Sequence, residues 1–256
     1  MIPKIIHYCW FGGKPKPELA QKCIRSWKKF CPDYEIVEWN ESHFDIAAAP
    51  LYVRQAYEAG RWAFVTDYVR LVALTQMGGV YMDTDVELIR PLDPYRKHQA
   101  FAGFETPQRI QTGLLACEPG FPLFMEFLHY YDTAQFLRSD GTQDTTTNVQ
   151  VLTGLCEQRG LEGNDQFQIV DGLAIYPREV FCPVDYDTQK LKKTRKTVAI
   201  HWFLASWHTQ EEEAQLEAER QQRRQEERSQ RRVAIGTALL GQRGYAALKR
   251  FLRISE

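Results

Sequence analysis

The stretch from Arg61 to Val86, RWAFVTDYVRLVALTQMGGVYMDTDV, decides the fold. From Trp62 to Met77 it is apolar almost all round and free of proline, and Gly78-Gly79 supplies a stop, which predicts a buried helix over 62–77. Its only charges, Asp67 and Arg70, stand at i, i+3 and are neighbours on one face, with Phe64, Leu71 and Leu74. Burying two charges is costly before pairing returns part of the loss. The pair is therefore either a structural salt bridge or a device that reaches the hydroxyls of a bound sugar. After the glycines, Val80 to Ile89 reads as a strand closed by Arg90-Pro91. Alternate strand residues share a face, so Asp83 and Asp85 are expected to point one way, roughly 6–7 Å apart. Carboxylates at the C-terminal end of a strand face the crevice where open α/β sheets bind ligands. Hard oxygen donors there suit Mn²⁺ or Mg²⁺, and such an ion offsets the charge of a diphosphate. An isolated Asp-x-Asp reads equally as a solvent-facing acidic strand end.

Upstream, Ile2–Trp10 predicts a buried first strand, Pro17–Cys31 a helix and Tyr34–Trp39 a second strand, the opening of a nucleotide-binding βαβ layout. Trp10 then sits at a C-terminal strand edge, placed either to stack on a nucleotide base or simply as core. A short helix is expected over Leu51–Ala59. Downstream, strands are expected at Gln99–Phe104, Ile110–Cys117, Gln168–Tyr176 and Thr197–Phe203, with helices at Phe121–Leu137 and Thr146–Arg159. Gln111-Thr112-Gly113 is a candidate acceptor-side element, with ordinary strand packing as its alternative. His201 ends the last strand and leads into Ser206 and Trp207, where a further metal ligand and a diphosphate contact could be supplied.

A formal net charge of −1 on 256 residues gives no case for nucleic acid as a partner. The six cysteines lack C-x-x-C spacing and sit among apolar neighbours, which predicts reduced, mostly buried thiols in a cytoplasmic protein. The N-terminus carries no signal-peptide pattern, and no apolar run reaches the roughly 18 residues of a spanning helix. Composition changes after His208. Residues 209–256 read as a helical appendage to a domain over 1–208, acidic residues coming first and basic ones later. Its last part, 233–253, is apolar and basic. It reads either as a peripheral contact with the inner face of an anionic membrane or as a small packing helix.

Taken as a composite, the Arg61–Val86 segment resembles the DXD sugar-binding region of family 32 glycosyltransferases. That family includes capsular-polysaccharide enzymes and fungal initiating mannosyltransferases, with clostridial glucosylating toxins as distant relatives. The opening IPKIIHYCWFG and the late His201, Ser206-Trp207 are similar to the family's start and closing motif, and Thr66 stands where serine is more usual. The resemblance implies an α/β GT-A fold, a single Rossmann-like nucleotide-sugar-binding domain. It also implies retaining transfer of a hexose from a nucleotide-sugar, with a UDP-sugar favoured over a GDP-sugar. The acceptor would be a glycan or a lipid-linked saccharide in polysaccharide biosynthesis. By position, Trp10 would stack on the base, and Asp67 and Arg70 would hold donor-sugar hydroxyls. Asp83 would meet ribose or sugar and a metal-bound water, and Asp85 would bind Mn²⁺ or Mg²⁺ directly. His201, Ser206 and Trp207 would complete the metal and diphosphate site. An Asp-x-Asp phosphatase is disfavoured, because Glu87 occupies the place of its small hydroxyl residue. A non-catalytic sugar-nucleotide-binding module could dispense with Asp83 and Asp85 together.

Overall fold

A computed structural model of the chain describes residues 1–186 and 188–203 and the helical positions 218, 221, 222 and 225. The chain divides into two compact units, one of residues 1–186 and 190–207, the other of 187–189 and 208–256. In the second unit the four described helical positions are exposed, and the rest of the expected 209–256 appendage lies outside the described residues.

The first unit is the expected α/β architecture. Its elements are β1 (Ile5–Cys9), α1 (Glu18–Phe30), β2 (Glu35–Trp39), α2 (Leu51–Glu58), α3 (Trp62–Met77), β3 (Gly79–Met82) and β4 (Val86–Leu88), then β5 (Ala100–Thr106), β6 (Arg109–Ile110), β7 (Leu114–Cys117), α4 (Pro122–Thr133), α5 (Asn148–Glu157), β8 (Gln168–Val170), β9 (Leu173–Tyr176), α6 (Arg178–Phe181) and β10 (Ala199–His201). The main sheet runs β2-β1-β3-β7-β5-β9-β8, with β6 hung on β5. β1 is parallel to both β2 and β3, while β7 lies antiparallel between β3 and β5. Because side chains alternate along a strand, each face has its own core. Tyr81, Leu115 and Cys117 pack with α2 to α5, whereas Val80, Met82, Leu114 and Ala116 pack with α1 and β4.

Helix α3 has the bounds its apolar character predicts, and ten of its residues are buried. The glycines after it do more than stop it. Gly78 (φ 63°) and Gly79 (φ 100°) lie in the left-handed region. A Cβ on Gly79 would meet the Ile5 carbonyl oxygen at 2.7 Å, and one on Gly78 the ring of Pro119 at 2.6 Å. Only glycine lets the chain turn from α3 into β3 this close to β1.

Three expected strands break: Gln168–Tyr176 splits at Asp171-Gly172 into the antiparallel pair β8 and β9, and the other two break at the site. The strand expected over Val80–Ile89 breaks after Met82. Asp83 to Val86 form a turn closed by Val86 N–H donating to the Asp83 carbonyl (2.9 Å), and β4 then pairs antiparallel with β10 in a separate two-stranded sheet. The strand expected over Ile110–Cys117 likewise breaks at Gln111-Thr112-Gly113. Local polar residues favour turns there, and tertiary pairing uses the breaks to end strands at the site.

His7, wholly buried on β1, ties the first strands to the Gly78 turn between α3 and β3. Its Nδ1 accepts from Trp39 Nε1 (3.1 Å), so its Nε2 carries the proton and donates to the Gly78 carbonyl (2.8 Å). Burial pushes its pKa below 6.5, with the Gly78 carbonyl opposing. The unfolded chain therefore takes up a proton that the folded chain refuses. Stability is complete above 6.5 and is lost as pH falls towards the folded value. A nitrogen NMR titration of the ring should give a midpoint below 6.5, and a midpoint at or above it contradicts this account.

All six cysteines are free and buried. Desolvation pushes the thiols up, Cys31 to about 11 and Cys23 and Cys156 to about 12. No helix among the described residues is long and apolar enough to cross a membrane.

Candidate active site

The parallel β1–β3 pairing sets the edge at which the site forms. Its register aligns Ile6 with Val80 and His7 with Tyr81, so Trp10 and Asp83 leave the sheet on the same side. This is the C-terminal edge of the parallel strands, where ligand crevices open. The Trp10 indole is half-buried. Its Nε1 donates to the Lys14 carbonyl (2.6 Å), and Lys16 Nζ lies 5.7 Å from the ring centroid.

Asp83 is held from the sheet and from the helix. Its Oδ1 accepts from the Tyr81 hydroxyl (2.8 Å) and lies 3.4 Å from Arg70 Nη1, while its backbone N–H donates to the Gly113 carbonyl (2.8 Å). Asp85 is fixed through its backbone, its carbonyl accepting from the Trp202 N–H (3.0 Å). The β4–β10 register sets His201 opposite Val86, and His201 Nε2 comes to 3.4 Å from Asp85 Oδ1. One ligand atom each from Asp83, Asp85 and His201 then lie within 4.8 Å of one another.

These three residues fit a divalent cation on two observations. Their donors are two carboxylate oxygens and an imidazole nitrogen, a set that suits Mn²⁺. Secondly, a Cβ on Gly113 would meet Asp83 Oδ2 at 3.0 Å and His201 Cε1 at 2.8 Å, so the missing side chain keeps the space between them clear. The buried His201 Nδ1 has no hydrogen-bond partner by geometry. Burial would keep the ring neutral, but Asp85, with Cys182 also at hand, favours its cationic form and raises its pKa.

Asp67 and Arg70 form the buried pair that their spacing suggests, Arg70 Nη2 standing 2.8 Å from Asp67 Oδ1 with the guanidinium side chain 5% exposed. The remaining guanidinium contacts are internal too. Nε donates to the Thr66 carbonyl (3.2 Å), Nη2 also to Thr66 Oγ1 (3.3 Å), and Nη1 to the Thr112 carbonyl (2.7 Å). The cation lies over the Tyr81 ring, 4.6 Å from its centroid. One guanidinium thus serves two carboxylates, Asp67 and Asp83. Burial raises the Asp67 pKa, Arg70 pulls it back and Asp83 adds to the rise, leaving it at about 6. Arg70 stays charged: burial works against it, but Asp83, Tyr81 and Asp67 outweigh that.

Several residues around the cleft were not singled out in the sequence, or only weakly. Tyr81 orients Asp83. Asn148, at the start of α5, accepts from Thr112 Oγ1 (2.6 Å) through Oδ1, while its buried Nδ2 has no partner. Its backbone N–H donates to Asp67. Gln111 is fully buried with neither amide atom partnered. Glu105 is the last residue but one of β5, where burial holds its carboxyl above the usual range against the pull of His201 and Arg109. The Thr147-x-x-Gln150 capping box was the available signal that a helix starts at Asn148. Ser206 and Trp207 lie outside the described residues.

Fold and site together define an α/β protein whose sheet edge gathers two carboxylates, an imidazole and a buried acid–base pair at one place. Residues 17–102 match the model of a family described as the glycosyltransferase sugar-binding region containing the DXD motif. The chain is 30% identical over 133 residues to inositol phosphoceramide mannosyltransferase 3 of Schizosaccharomyces pombe, across 49% of this chain and 36% of that protein. Over 148 residues it is 27% identical to mannosyl phosphorylinositol ceramide synthase CSH1 of Saccharomyces cerevisiae, across 50% of this chain and 35% of that protein. The chain thus spans only 36% and 35% of the length of these curated relatives. Among solved structures, the PaToxG glycosyltransferase aligns with a TM-score of 0.47 at 18% identity, covering 61% of this chain and 68% of that one. The galactosyltransferase LgtC, in complex with donor and acceptor sugar analogs, aligns at 0.42 and 16% identity, covering 80% and 90%.

Proposed function

We propose that the protein is a metal-dependent, retaining glycosyltransferase that moves a hexose from a nucleotide-sugar to a glycan or lipid-linked saccharide. The observation that carries this reading is the meeting of Asp83, Asp85 and His201 beside the buried Asp67–Arg70 pair. The names of the fungal relatives support a mannosyl donor and a phosphoinositol-ceramide type of acceptor as the first to test. UDP-sugars remain the other donor class. Polysaccharide biosynthesis, a peripheral membrane position and the domain division at residue 208 belong to the same proposal.

Asp85 and His201 would hold the ion directly and Asp83 would meet it through water. Bound there, Mn²⁺ or Mg²⁺ supplies the positive charge that stabilises a departing nucleoside diphosphate. Trp10 would stack on the base, and Ser206 and Trp207 would contact the diphosphate. Asp67 would accept hydrogen bonds from sugar hydroxyls. Arg70, its donors engaged inside the protein, acts by fixing Asp67 and Asp83 at set positions. With retention, the acceptor hydroxyl attacks from the side of the leaving group, whose own oxygen takes the proton. No side chain is needed as base. A nucleotide-release assay over UDP- and GDP-sugars with Mn²⁺ tests the reading. Release that depends on both donor and ion is expected, and phosphate release from simple monoesters instead would overturn it.

Gln111 gives a separate test. Its two unpartnered amide atoms cost stability unless a ligand meets them, and removing both by an apolar group of similar shape is often stabilising. Gln111→Met is expected to raise the melting temperature of the ligand-free protein, by the equivalent of about 1–3 kcal/mol, and to lower kcat/KM. Unchanged kcat/KM would remove Gln111 from the substrate pocket.

A further inference from the structure

Between α6 and β10 the chain reads Lys190-Leu191-Lys192-Lys193-Thr194-Arg195-Lys196, five cations in seven residues of a chain whose net charge is −1. All seven are exposed. Among the described residues only Lys196 has an ion-pair partner, Glu179 at 2.7 Å. Arg90 adds a sixth cation, since its Nη1 donates to the Arg195 carbonyl.

The segment is anchored at both ends. Leu191 bridges Val184, and Lys192 N–H donates to the Pro183 carbonyl (2.9 Å). At the other end Thr194 and Thr197 close a turn. Thr197 Oγ1 accepts from Thr194 N–H (2.9 Å) and donates to the Glu179 carbonyl (2.8 Å). The cations are thus presented on a fixed turn.

This cluster is not part of the donor site. β10 pairs Ala199 with Leu88 and His201 with Val86, so residues before Ala199 lie beyond the end of β4 away from Asp85. Four residues stand between Lys196 and His201, a span of roughly 17 Å at the rise of an extended strand.

We infer that residues 190–196 with Arg90 form a docking surface for an anionic lipid bilayer. Three observations favour a bilayer over a nucleic acid. Leu191, flanked by lysines, is 42% exposed and offers an apolar group at headgroup depth. Within the segment lysine outnumbers arginine four to one, and lysine binds phosphates as a point charge without the planar fork that reads them individually. The segment also has no aromatic side chain on which a base could stack. The surface deepens the lipid-linked-acceptor reading, and it lies outside the tail proposed to meet membrane.

The test uses the full chain and co-sedimentation with vesicles of phosphatidylcholine, with and without phosphatidylserine. Selective, salt-sensitive binding to the phosphatidylserine vesicles is expected. The triple variant Lys192→Gln, Lys193→Gln, Arg195→Gln should weaken it roughly a hundredfold. Leu191→Ser, with every charge kept, should weaken it severalfold. Absence of binding by the unsubstituted chain, or full binding by the triple variant, overturns the inference. So does an unaffected Leu191→Ser variant, or equal binding to duplex DNA. Nucleotide release from a soluble sugar nucleotide should be the same in the triple variant as in the unsubstituted chain. A chain that releases no nucleotide at all defeats the transfer reading and leaves the vesicle result standing.

Discussion

Asp85→Ala is expected to abolish metal-dependent transfer, by about a thousandfold or more in kcat, while leaving the fold in place. The chemical side of this expectation follows from position. The Asp85 carboxylate lies 3.4 Å from His201 Nε2 and shares the candidate cation site with Asp83. The structural side follows from how the residue is anchored. The Asp85 backbone carbonyl, not its side chain, accepts from the Trp202 N–H, and the turn closes through Asp83 and Val86. Alanine keeps both. Circular dichroism and thermal melting should match the parent protein, and nucleotide release should vanish. A variant with full activity would defeat the assignment of Asp85 as a metal ligand.

Arg70→Met is expected to have the largest effect on stability. The guanidinium is the one cation shared by Asp67 and Asp83, and it also donates to Thr66 and to the Thr112 carbonyl. Removing it leaves two carboxylates and a backbone oxygen in a buried space without their donor. Breaking one partner of a buried ion pair costs about 3–5 kcal/mol. Denaturant unfolding should show a loss of that size, with transfer lost too. Arg70→Lys should recover only part of the stability, because an ammonium offers a point charge and three donors where the fork offers five. Parental stability in Arg70→Met would mean that the guanidinium is not the element that fixes the cleft.

Much of the site was legible because it is written in short-range spacing. The i, i+3 placement of Asp67 and Arg70 forces them to meet on any helix, and the apolar surround forces that helix inward. The sequence put Trp10 and Asp83 each at a C-terminal strand end; that they leave the sheet on the same side comes from the parallel β1–β3 pairing. What escaped was tertiary. The common direction of Asp83 and Asp85 was expected from strand pleating, yet a turn produces it, and that turn exists because β4 is drawn off to pair with β10. The antiparallel insertion of β7 between β3 and β5 has no local signature. Asn148 and Tyr81 reach the site from two separate elements, and each reads locally as ordinary packing. Gly113 is informative only once His201 is known to stand across from it.

The central claim is that the Asp83, Asp85 and His201 cluster holds a divalent ion against a nucleoside diphosphate. Crystals of the full chain grown with Mn²⁺ and UDP or GDP, mapped by manganese anomalous scattering, test it most directly. The account predicts a manganese peak bonded to the Asp85 carboxylate and the His201 ring, with the diphosphate on it and the base against Trp10. A manganese–nucleotide complex bound elsewhere, with Asp85 and His201 turned towards separate spaces, would contradict it.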